Sequence, residues 1–138
     1  MYLLDTNVIS ELRKAKSGKA NKNVLKWATA ILPSALYLSV ITILELATGV
    51  LLLERRDQAQ GAILRAWLNE HVLPAFGDHI LAIDVAVAQH CATLHVPHPR
   101  ADRDALIAAT ALAHGMTVVT RNVADFEPMG VKIHNPWQ

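Results

Sequence analysis

Residues 2–12 read YLLDTNVISEL, and this stretch decides the fold. Tyr2, Leu3 and Leu4 are a short apolar run with strand chemistry that stops at Asp5, after which Val8, Ile9 and Leu12 recur at helical spacing. Thr6 is a good N-cap residue type, so a strand is predicted to feed straight into a helix capped by Thr6. In parallel α/β sheets the functional crevice lies beyond the carboxyl ends of the strands, which is where Asp5 falls. A turn or helix-start role is the alternative for this residue.

The same strand-then-helix grammar recurs downstream. Residues 37–40 read as a strand and 41–53 as a very apolar helix, residues 58–76 as an amphipathic helix, 79–83 as a strand and 85–94 as a helix. Residues 96–100 are a Pro-rich loop, 102–114 a helix capped by Gly115, 117–120 a strand, 121–130 a loop and 131–133 a last short strand. This alternation predicts a three-layer α/β/α fold around a central parallel sheet joined by right-handed crossovers. The 138 residues contain no repeat, low-complexity tract or linker, so one domain over 1–138 is expected.

Composition excludes several classes of protein. Thirteen basic against twelve acidic residues leave a net charge of +1, far from a polybasic nucleic-acid binder. The 52% hydrophobic content rules out disorder and exceeds the about 45–50% of average soluble domains, which predicts apolar surface buried against another chain. A single cysteine, Cys91, excludes an internal disulfide framework and fits a reducing compartment. The amino terminus lacks the basic and apolar regions of a secretory signal, so a cytoplasmic location is expected. Residues 27–44 carry no charge, but Pro33-Ser34 breaks the run, which reads as helix, turn, strand and helix rather than a membrane span.

Glycine fingerprints for dinucleotides or P-loops are absent, as is H-E-x-x-H. Asn7 stands where a haloacid-dehalogenase-like hydrolase needs a second Asp, and no Lys lies between Lys26 and Lys132 to serve a receiver-like switch. His90, His95 and His98 lie near Cys91 without the paired spacing of a structural zinc site.

Polar residues gather instead at strand ends: Asp5, Thr6 and Asn7 after the first, Asp84 after the third, and Thr120, Arg121 and Asn122 after the fourth, followed by Asp125. Glu45 is the only charge between Lys26 and Glu54 and shares a thin polar stripe with Thr42, Thr48 and Gly49. That stripe faces either solvent or the crevice. Asp102 and Asp104 open a helix, where the amino terminus favours anions; capping is preferred for Asp102, whereas Asp104 lies inside the first turn and can point toward the strand ends. Asp84 fits a cap.

Bringing Asp5, Glu45 and Asp104 together is electrostatically costly, and a divalent cation relieves that cost. Oxygen-only ligands suit Mg²⁺, with Mn²⁺ as a substitute, and a metal–carboxylate cluster suits phosphodiester hydrolysis. Six of the thirteen basic residues, among them Arg13, Lys14 and Lys16, fall within residues 13–26, which contain no acid. They read as a basic loop and helix start, with a solvated loop and outer helix face as the plain alternative. Seven aromatics are few for a base-stacking platform.

Four segments, YLLDTNVISEL (2–12), YLSVITILELATGV (37–50), DALIAATALAHGMTVVTRNVADF (104–126) and NPW (135–137), together resemble the PIN-domain ribonucleases. Within them the resemblance is to VapC toxins of type II toxin–antitoxin systems, in the FitB-like branch. It implies an acidic centre of Asp5, Glu45 and Asp104 that binds metal, with Thr6, Asn7 and Thr120 in support. The family often has a fourth acid where Asn122 stands here, so either Asn122 or Asp125 completes the site. The resemblance further implies a Mg²⁺-dependent endoribonuclease that arrests translation and is silenced by a cognate antitoxin in a complex built on a toxin homodimer. Arg13, Lys14, Lys16 and Arg121 are the expected RNA contacts. The competing expectation is a PIN-like binding subunit with vestigial acids.

Overall fold

The computed structural model describes residues 1–138. Its centre is a five-stranded, all-parallel sheet built from β1 (Tyr2–Leu4), β2 (Leu36–Ser39), β3 (Ile80–Leu81), β4 (Thr117–Val119) and β5 (Ile133–His134), in the order β3-β2-β1-β4-β5. β1 is central, pairing Tyr2 and Leu3 with Leu36 and Tyr37 on one side and Tyr2 to Leu4 with Thr117 to Val119 on the other. Leu3, Leu4, Val118 and Val119 are fully buried, as strands covered on both faces require.

The connecting helices are α1 (Thr6–Leu12), α2 (Lys22–Ala30), α3 (Val40–Arg56), α4 (Gln58–Trp67), α5 (Leu73–Phe76), α6 (Val85–Leu94), α7 (Asp102–His114) and α8 (Val123–Phe126). They bury two cores. Leu3, Val118 and Phe126 pack with α7 through Ala105, Ile107, Ala108, Ala109 and Ala111. Leu4, Leu38 and Val119 pack with Val8, Ile9, Val24, Leu46, Val50, Leu68 and Val72. The three-layer α/β/α expectation therefore holds, and no helix is long and apolar enough to cross a membrane.

Several boundaries differ from the sequence expectation. Asp5, not Thr6, caps α1: its backbone is extended and Oδ1 accepts from the Thr6 N–H at 2.8 Å. The cap is where the chain leaves the strand conformation, one residue earlier than residue type alone suggested. Asp102 likewise does not cap α7; Ala101 takes that position without a side-chain bond, and Asp102 lies in the first turn. Asp84 does cap α6, accepting from Val87 N–H at 2.9 Å.

The expected helix over 58–76 is divided into α4, a wider π-helical turn at Leu68–Val72, and α5. The expected strand over 79–83 is only Ile80–Leu81, because a 3-10 turn takes Gly77–His79. The final strand lies at Ile133–His134 rather than 131–133, and the expected loop over 121–130 contains α8 and a 3-10 turn at Glu127–Met129. Phe126, fully buried, is what ties that segment down.

Candidate active site

The ends of β1 and β4 meet in one hydrogen-bonded knot. Asp5 Oδ2 accepts from Thr120 Oγ1 at 2.8 Å and from Asn7 Nδ2 at 3.3 Å, while the Asn122 N–H donates back to Thr120 Oγ1 at 3.0 Å. Asn7 also reaches across the crevice, its Oδ1 accepting from the Arg121 N–H at 3.4 Å. Parallel pairing of β1 with β4 puts both strand ends at the same edge, so residues 115 positions apart are joined by a hydrogen bond.

Above this knot lies an open basin of about 430 Å³ lined by Asp5, Thr6, Asn7, Ser10, Glu11, Lys14, Glu45, Asp104, Arg121, Asn122 and Trp137. Ten of these are polar or charged, and Trp137 is the single apolar one. α3 brings Glu45 in from the β2 side: Thr6 Oγ1 donates to Glu45 Oε1 at 2.7 Å and lies 3.3 Å from Thr42 Oγ1. Thr42 is fully buried, so the polar stripe of α3 turns into the crevice at Thr42 and Glu45 and not toward solvent. Arg103 stands 3.8 Å from the other Glu45 oxygen. α7 contributes Asp104 from its first turn.

The electrostatics follow from this crowding. Burial pushes the Asp5 carboxyl above the ordinary carboxylate range; the hydrogen bonds from Thr120 and the Thr6 N–H oppose that rise, and Asp104 and Glu45 add to it. Asp104 is also raised, first by burial and then by repulsion from Asp125 and Glu45. Glu11 is shifted the other way, because its carboxylate accepts the Asn21 N–H at 2.8 Å and pairs with Lys14 at 3.4 Å.

Three carboxylates, Asp5, Glu45 and Asp104, therefore line one basin, with the Arg103 guanidinium beside one of them. No three carboxylates converge to metal-ligating geometry as they stand, but the donor set is oxygen-only, and repulsion among its members is what a hard divalent cation relieves. The residues fit such an ion. Asp5, Glu45 and Asp104 would hold it, with Thr120 and Thr6 orienting two of them.

The other residues singled out from the sequence divide. Asn122 and Arg121 line the basin, as does Lys14. Asp125 is not part of the lining, yet it lies near enough to Asp104 to raise its pKa. Arg13 and Lys16 point to a separate apolar groove, where the Arg13 guanidinium lies 5.7 Å from the centre of the Trp67 ring. Sequence reasoning missed Ser10, Glu11 and Trp137. Asn7, Glu11 and Lys14 recur at i, i+4 and i+7, and that helical face was the signal for Glu11.

A parallel α/β/α sandwich whose carboxylates gather at the carboxyl ends of β1, β2 and β4 defines an acid-centred α/β site. The chain matches the PIN domain over residues 2–129 and belongs to the PIN-domain family. It is 38% identical over 143 residues to the VapC ribonuclease Y4jK of Sinorhizobium fredii, covering 100% of this chain and 99% of that one. Toxin FitB of Neisseria gonorrhoeae is 37% identical over 142 residues, 99% of both chains. The crystal structure of FitAcB from the same organism superposes with a TM-score of 0.90 at 36% identity, over 100% of this chain and 99% of that one.

Proposed function

We propose that this protein is a divalent-metal-dependent endoribonuclease toxin, with Mg²⁺ the working ion and Mn²⁺ a substitute, silenced by a cognate antitoxin. The observation that carries the reading is that Asp5, Glu45 and Asp104, from three separate segments of the chain, line one open basin. Membership of the PIN-domain family and likeness to a VapC ribonuclease and to toxin FitB support it. When bound, a divalent cation supplies Lewis-acid stabilisation of a phosphate and lowers the pKa of water.

The chain's own groups do the rest. Asp5 is held by Thr120, Asn7 and the Thr6 N–H, so its carboxylate is preorganised rather than free to rotate. Glu45 is aimed by Thr6, and one of these acids takes a proton from the attacking water. Lys14 and Arg121 are the cations of the basin lining and suit the phosphates of RNA. Asn122 completes the rim, and Asp125 acts through its charge on Asp104.

The acidic basin also suits a basic side chain offered by an antitoxin. Leu44, Leu51, Leu52, Ile63, Val85 and Val96, all strongly exposed, provide apolar surface for that partner and for a second copy of this chain.

The test is cleavage of total cellular RNA by antitoxin-free protein with Mg²⁺, Mn²⁺ or EDTA, beside Asp5→Asn prepared identically. Metal-dependent fragments absent from the variant support the nuclease. A folded, metal-replete wild type that cuts no class of RNA replaces this reading with that of a PIN-like binding subunit.

A further inference from the structure

The basin has one apolar wall, and it comes from the far end of the chain. Trp137 is held at that wall by backbone bonds: its N–H donates to Asn135 Oδ1 at 3.0 Å, and its carbonyl accepts from Asn23 Nδ2 at 2.9 Å. Its ring packs against the core that contains Leu4, Val8 and Val24. The Arg121 guanidinium lies over that ring, 5.6 Å from its centre. The Arg121 backbone is held as well, between the Thr120 and Asn122 bonds and through its own N–H to Asn7. A long cationic side chain on an exposed loop therefore lies beside the Trp137 ring at the edge of the acidic basin.

Resting on the nuclease reading above, we propose that Arg121, backed by Trp137, is a nucleobase-stacking platform for the nucleotide next to the phosphate at the acidic centre. A guanidinium is planar, so one face can rest on the indole while the other receives a base, a sandwich that an ammonium group cannot form. Its charge serves a second purpose. The lining holds Asp5, Glu11, Glu45 and Asp104 against Lys14 and Arg121, so an incoming polyanion needs the cation at the rim. A chain with seven aromatics can still stack a base, because this platform uses one tryptophan and one arginine. Arg121 is the contacting group and Trp137 its positioning residue. The ligand is a single-stranded ribonucleotide segment, since only an unpaired base presents a free face.

The experiment measures fluorescence anisotropy of two labelled single-stranded probes, a uridine 12-mer and the same ribose-phosphate chain without bases at its central positions, in EDTA. Wild type is expected to bind the uridine oligomer roughly 5- to 100-fold more tightly than the abasic one. Trp137→Phe retains that preference, Trp137→Ala and Arg121→Ala lose it, and Arg121→Lys keeps affinity for the abasic chain while losing the preference. Circular dichroism melts identify any variant that is unfolded, in which case Arg121→Lys against wild type decides. Equal binding of the two probes by wild type, or full base preference in Arg121→Lys, overturns the platform. Because binding is read without metal or turnover, a protein that cuts RNA but fails here loses only the platform, and one that stacks bases but cuts nothing loses only the nuclease reading.

Discussion

Thr120 Oγ1 donates to Asp5 Oδ2 at 2.8 Å, joining the ends of β4 and β1 across 115 residues of chain. Both residues are buried, and the same hydroxyl accepts the Asn122 N–H, so one side chain sets the carboxylate and the loop that follows β4. Thr120→Val keeps the shape and removes both of these bonds together with a longer one from Asn7 Nδ2 at 3.4 Å. We expect a stability loss of about 1.5–3 kcal/mol at neutral pH, read by urea denaturation, because a hydrogen bond to a buried charged group is lost. Thr120→Ser should restore most of it; a valine variant as stable as wild type would show the bond to be dispensable.

Thr6 performs the equivalent task for Glu45, at 2.7 Å. Thr6→Val should weaken Mn²⁺ binding about 10- to 100-fold by calorimetry, the usual effect of removing a partner that orients a metal ligand. Thr6→Ser should bind as wild type does. Equal affinity in all three proteins would remove Thr6 from the site.

Asp104 titrates above the ordinary aspartate value of about 3.9 because burial disfavours its charge and Asp125 and Glu45 repel it. The folded state therefore holds this proton more tightly than the unfolded state. Ionising Asp104 costs stability above the raised pKa, and that cost disappears as pH falls through the raised value toward about 3.9. In EDTA, Asp104→Asn should melt higher than wild type at pH 7, with the difference shrinking toward pH 4. Mg²⁺ should raise the wild-type Tm more at pH 7 than at pH 5 and have little effect on the variant. A variant that melts below wild type at pH 7 in EDTA would contradict the repulsion account.

α3 and α4 cross at Gly61, where an added Cβ would lie 2.6 Å from the Glu54 Cα and 2.8 Å from its nitrogen. Backbone cannot yield as a flexible side chain does. Gly61→Ala should therefore cost about 1–3 kcal/mol in chemical denaturation despite its better helix propensity. The Arg65 pair with Glu54, at 2.7 Å through both nitrogens, should break in the variant as the helices separate. An unchanged denaturation midpoint would mean that the crossing relaxes freely.

Much of this was legible in residue order. Apolar triplets ending in polar residues predicted the parallel sheet, and Asp5 and Asp104 stood out because a strand end and a helix start each dictate where a short side chain goes. Glu45 was ambiguous. Its stripe on α3 fitted solvent or crevice equally, since helical periodicity reports which residues share a face and not what that face meets. The Thr6 cap was misread for a related reason: Asp5 and Thr6 are both good caps by type, and only the backbone conformation at Asp5 distinguishes them.

Sequence by itself determined the class of fold, because local periodicity carries it, and named the candidate acids through single-residue chemistry and the resemblance to the PIN-domain ribonucleases. Tertiary structure alone decided what those acids meet. That Thr120 bonds Asp5, that Thr6 aims Glu45, that Arg13 turns away to Trp67 while Arg121 lies over Trp137, all depend on which strands pair and how each helix rolls. Pairing and roll are settled by burial summed over two whole cores, a collective quantity that no short window of sequence contains.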